Sequence, residues 1–113
     1  MIDLNKVAKE CYDIAVKRCD AGHNVPNPDD TFGLLKGCAG EVLEVQEAFS
    51  NYAYWTGGGN LGKPLKDHLC KELGLELADV VIYVLLIAHH CGIDMEKMLS
   101  LAMQKNRERA EKK

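Results

Sequence analysis

Aromatic residues are scarce in this chain: one Trp, two Phe and four Tyr among 113 residues. Prolines number three and the glycines sit singly or in short clusters, which leaves no linker and no room for a second domain. We therefore read residues 1–113 as a single domain able to bury a modest core. A basic excess is also missing. Fourteen Lys and Arg face seventeen Asp and Glu, for a net charge of −3, which argues against a nucleic-acid polymer as partner. The five cysteines (11, 19, 38, 70 and 91) form no CxxC pair, so a disulfide framework and a zinc signature are both excluded and reduced, buried thiols are expected. No internal repeat is present. The opening MIDLNKVAKE has no apolar core of a signal peptide, and the apolar run Val80–Ala88 is about half the ~20 residues that span a bilayer. The expected location is cytoplasmic, with no membrane contact.

What is present centres on Lys71–Cys91, KELGLELADVVIYVLLIAHHC. A helix apolar nearly all round is normally buried, yet ionised carboxylates are costly to bury without a partner. On a helical wheel Glu72, Glu76, Asp79, Tyr83 and His90 share one narrow arc. The helix therefore carries an acidic stripe through an apolar body, and something cationic must meet it.

The rest of the chain supplies three more helices and no strand. Asp3 is placed to cap a first helix to about Cys19, ended by Asp20-Ala21-Gly22. Pro26 and Pro28 set a loop, after which Asp29, Asp30 or Thr31 caps a second helix to about Tyr54. Its expected apolar stripe is Leu35, Cys38, Ala39, Val42, Val45, Phe49 and Ala53. Opposite lies Glu44, whose wheel neighbours are Gly33, Gly37, Gly40 and Ala48. Interior glycines cost ~1 kcal/mol each relative to Ala, so they need a reason: a close-packed neighbour, space for a ligand, or both. Tyr52–Pro64 reads as a loop. Its GxxxxGK string is not a phosphate loop, because Pro64 stands where Ser or Thr is needed and no strand precedes it. Pro64 begins the third helix, Gly92 closes it, and Asp94 caps a fourth from Met95 to about Glu111. The expected fold is an all-α, four-helix bundle-type domain.

Glu41 and Glu44 on the second helix, like Glu76 and Asp79 on the third, are three residues apart and share a helix face. If the two helices pack antiparallel, the pairs converge into a cage of four carboxylates. All-oxygen ligation suits hard divalent cations, Mg²⁺ above all. A ferritin-like di-iron site is excluded by its missing Glu-x-x-His motifs, since none of His23, His68, His89 or His90 lies three after a Glu.

With those residues in view, GEVLEVQEA, then LELADVVIYVLL, Gly92-Ile93-Asp94 and a terminal Lys-Asn-Arg-x-Arg resemble the MazG-like all-α NTP pyrophosphohydrolases over about residues 40–109. The ExxE…ExxD signature falls on Glu41, Glu44, Glu76 and Asp79. The spacer, residues 45–75, is longer than usual in that family and leaves the substrate open. The resemblance implies a nucleoside triphosphate substrate cut between the α- and β-phosphates, with Mg²⁺ as cofactor and Mn²⁺ as its substitute. It also implies Glu44 as the residue that orients or deprotonates the attacking water. Nucleotide-pool house-cleaning is the expected role, with trimming of a dNTP pool and a phage or stress context open beside it.

Around that core, Lys105 and Arg109 share a face of the fourth helix and are candidates for the leaving phosphates; the alternative is a solvated, basic helix end. Asn106 matches a family position near substrate. Tyr83, one turn from Asp79, is a candidate partner for a carboxylate, and Trp55, within the Phe49–Trp55 aromatic cluster, for stacking on the base. The apolar surface of the third helix exceeds what one hairpin covers, so we expect completion by oligomerisation, as a homodimer or dimer of dimers. The rival reading is a non-catalytic interaction module whose acidic stripes pair with a partner's Lys or Arg; a third is a cation-binding structural bundle without turnover.

Overall fold

Four helices account for the chain in the computed structural model, which describes residues 2–56 and 63–112. They are α1 (Leu4–Asp20), α2 (Thr31–Thr56), α3 (Lys63–Cys91) and α4 (Met95–Glu111), with no strand among the described residues. The helix ends follow from local chemistry. The Asp3 carboxylate accepts the Asn5 and Lys6 N–H groups at 3.0 and 3.2 Å, satisfying donors that the first turn leaves free. Asp30 does the same for α2, accepting the Phe32 N–H at 3.1 Å. Asp94 accepts the Lys97 N–H at the start of α4. Gly22 and Gly92 sit at φ +80° and +68°, and beyond each the chain folds back. The His23 N–H reaches the Arg18 carbonyl and the Ile93 N–H the Ala88 carbonyl, the paired bonds of a left-handed helix cap. The second helix extends past its expected end, since Tyr52–Thr56 continue it rather than opening a loop. Residues 57–62, most of the GxxxxGK string, lie outside the described residues.

The helix α3 is the central element, packed against α2 along one side and α1 along another. Buried apolar side chains on the helices are Ala8 of α1, Leu34 of α2, and Leu69, Leu85, Leu86 and Ala88 of α3. None of α4 is buried, and its main packing is on α1. There two helix starts cap one another. The Glu96 carboxylate accepts the Leu4 N–H at 2.7 Å, while the Asn5 side chain accepts the Met95 N–H and donates to Asp94. The four helices thus form a three-helix body with a projecting arm.

The packed face of α2 differs from the expected stripe. Leu34, Gly37, Cys38, Glu41, Val45, Ala48 and Tyr52 are buried or half-buried, whereas Leu35, Ala39, Val42, Phe49 and Ala53 face solvent. Likewise α3 leaves Leu75, Leu77, Val81, Ile82 and Val84 exposed. A helix apolar on every side offers no single stripe to read, and the face chosen is the one bearing the acids. Leu65–Cys91 is long and apolar enough to cross a membrane by length and composition alone, a longer stretch than Val80–Ala88 suggests.

Candidate functional site

The close approach of α2 and α3 begins at Gly37. A Cβ there would stand 2.5 Å from the Tyr83 ring, so only glycine lets that ring lie against the helix. One turn on, Glu41 and Glu44 face Glu76, and further along Asn51 shares a cavity with Glu72; the two helices therefore run antiparallel. Oxygens of Glu41, Glu44 and Glu76 lie within 4.8 Å of one another. Asp79 stands outside that trio but lines a cavity with Glu41, and its negative charge acts on both Glu41 and Glu76.

This arrangement is electrostatically costly for a bare protein. One oxygen each of Glu41 and Glu76 is buried with no hydrogen-bond partner. Burial, followed by a proton shared with Glu44 and the charges of Glu44, Asp79 and Glu76, pushes Glu41 up to about 7. Glu76 is also raised, first by the hydrogen bond with Glu44 and then by burial and the surrounding acids. No Lys or Arg is ion-paired with any of the three among the described residues. Buried polar atoms normally have partners, and acids crowded without a cation are the donor set a hard divalent ion takes. The residues present fit such an ion.

Glycines on α2 serve two ends. Gly37 is packed, as above. Gly40 has nothing within 4 Å of the Cβ it lacks, and with Gly33 and Gly37 it floors an open cavity bounded by Asn24–Pro26, Lys36, Glu41, Glu44 and Tyr83. Close packing accounts for Gly37, while Gly40 leaves open space beside the carboxylates. On the other side of Tyr83 a second cavity, of about 390 Å³, lies between α1, the 24–26 segment and α3. Its walls carry Arg18, Glu41, Asp79 and Tyr83 beside apolar Ile14, Ile82 and Leu86. Tyr83 is half-buried there, its hydroxyl pKa raised by burial and by Glu41, with Arg18 acting in the opposite sense.

Other sequence candidates are placed elsewhere within one chain. Lys105, Asn106 and Arg109 are exposed along α4 and line none of the three cavities beside the carboxylates. Trp55 stacks edge-on with Tyr54 at 5.1 Å, about 16 Å along α2 from Glu44 at 1.5 Å per residue. The contribution of α1 and residues 24–26 is absent from the sequence reading. A lone Arg on an amphipathic helix and an Asn in a loop carry no signal until the fold sets them opposite the acids.

Comparison with known proteins matches residues 32–113 to the MazG nucleotide pyrophosphohydrolase domain family. No curated protein and no solved structure matches the chain.

Proposed function

From membership of the MazG nucleotide pyrophosphohydrolase family, to which the chain belongs, we propose that it hydrolyses nucleoside triphosphates to the monophosphate and pyrophosphate with Mg²⁺. The observation that carries this reading is the trio Glu41, Glu44 and Glu76, with two buried oxygens lacking any partner among the described residues. Asp79, beside Glu41, completes the ligand set we propose. A divalent ion held there would offset the clustered charge, neutralise the triphosphate and acidify a water. The other tasks fall to the chain. Glu44 is the exposed member of the trio and borders two cavities, so it is the carboxylate we assign to orient a water and take its proton. Glu41 and Glu76, half-buried, hold their positions through packing between α2 and α3. Clearing unwanted nucleotides from the pool is the role this reaction would serve.

We further propose that the chain works as a homo-oligomer. The exposed faces of α2 (Leu35, Val42, Phe49) and α3 (Leu77, Val81, Val84) support this, as does an arm with no buried residue. An arm from a second copy would bring Lys105, Asn106 and Arg109 toward triphosphate, which their own chain does not. Burial in a bilayer is the poorer account of the same faces. It would place Glu76 and Asp79 at mid-span beside the acids of α2, a cost of several kcal/mol by insertion scales.

The test is Glu44→Gln. This variant should keep its fold and lose at least ~100-fold in turnover, the usual scale of a general base. Unchanged hydrolysis would remove Glu44 from the mechanism. An ion-paired interaction module would instead show changed assembly and no turnover in either form.

A further inference from the structure

We propose that the cavity between α1, the 24–26 segment and α3 seats the nucleoside end of the substrate, with Arg18 and Asn24 reading the base. The inference rests on the nucleotide reading of the carboxylate site. Glu41 and Asp79 form part of the cavity wall, so a ligand lying in it continues directly into the acidic cluster. The neighbouring cavities differ in chemistry. The one around Glu44, Glu47, Glu72 and Glu76 is lined mainly by acids, whereas this one combines Ile14, Ala15, Ile82 and Leu86 with the polar side chains of Arg18 and Asn24. Apolar walls with a few converging polar groups, at about 390 Å³, match the usual form of a small-molecule site.

The polar pair is free to act. Arg18 makes no ion pair among the described residues, and its side-chain hydrogen bond, from Nε to His23 Nδ1, is long at 3.5 Å. That leaves its terminal nitrogens as donors. The side chain of Asn24 makes no hydrogen bond among the described residues, and it can both donate and accept.

The wall they stand on is held in place. The left-handed cap at Gly22 returns residue 23 to Arg18. The Asp30 N–H closes a turn on the Asn27 carbonyl around a fully buried Pro28, and the Tyr12 hydroxyl donates to Asp29 at 3.0 Å. A guanidinium only donates. On adenine the N6 amino donor stands beside both N1 and N7, whereas guanine, cytosine, uracil and thymine set a carbonyl oxygen on the edge it would meet, so it favours those four over adenine.

The test pairs kinetics with binding. Pyrophosphate release by the wild type, Arg18→Ala and Asn24→Ala is measured for GTP, CTP, UTP, dTTP and ATP. Amide shifts are followed separately as free guanosine, cytidine, uridine and adenosine are added without divalent ion. The expected result is a wild-type preference over ATP in kcat/KM that falls about tenfold in Arg18→Ala, with a changed ranking in Asn24→Ala. The nucleosides should shift the amides of residues 14–18, 24–26 and 82–86. Loss of all nucleotides by one common factor in both variants would overturn the assignment, as would nucleoside shifts centred on Trp55. Failure of the two readings is distinguishable. A wild type that releases no pyrophosphate while nucleosides still shift the cavity residues removes the activity and keeps the pocket.

Discussion

Glu41 bears the largest electrostatic consequence of this fold. Its carboxyl is raised from 4.5 to about 7, so the folded protein holds a proton there that the unfolded chain releases. Protons bound more tightly by the folded state make stability fall as pH rises between those two values. Metal-free protein in chelator should therefore melt at a higher temperature near pH 5 than near pH 8, and Mg²⁺ should raise Tm most at pH 8, where Glu41 is ionised. Thermal melts with and without Mg²⁺ read this directly. A Tm flat across that range in chelator, or an Mg²⁺ effect larger at pH 5, would contradict the arrangement. Asp94 works in the opposite sense but outside this window. Hydrogen bonds from Asn5 and the α4 backbone hold its carboxyl below the usual range, so its contribution is lost only as pH falls further.

Among the elements, the α2–α3 pair carries the site, and its spacing depends on one glycine. Gly37→Ala must push the Tyr83 ring or spread the helices, and should cost about 1–3 kcal/mol. Gly40→Ala meets nothing within 4 Å and replaces a poor helix former, so it should stabilise by about 0.4–1 kcal/mol. Denaturant unfolding of the two variants measures the contrast; equal effects would show that Tyr83 does not set the helix approach.

The same elements show what could be read from residues alone. Four helices, their Asp caps and their Gly stops were legible because those signals are local, as Asp3, Asp94, Gly22 and Gly92 show. The pairing of Glu41 and Glu44 with Glu76 was legible from i, i+3 spacing and one connecting loop. Which face of α2 turns inward was not. Leu35, Val42 and Phe49 are as apolar as a core stripe, and an exposed apolar face has the same periodicity as a buried one. The part of α1 was also hidden, since Arg18 comes to line a cavity with Glu41 and Asp79 only through packing between distant segments.

As a whole molecule the single chain is open. Its radius of gyration is 17.3 Å, against ~13 Å for a compact domain of this length. Among the described residues few side chains are buried, while large apolar residues on all four helices face solvent. Light scattering should find a dimer or larger species. Val81→Glu, which sets a charge on the exposed face of α3, should shift it toward monomer and lower Tm. A wild-type monomer at working concentration would show that these faces serve another purpose.

The central claim is that the carboxylates between α2 and α3 direct cleavage between the α- and β-phosphates. Product analysis on a panel of NTPs and dNTPs, with Mg²⁺ and with chelator, tests it most directly. The account predicts monophosphate and pyrophosphate in equal amounts, abolished by chelation. Diphosphate and inorganic phosphate as products, or no turnover by a folded protein that binds Mg²⁺, would contradict it.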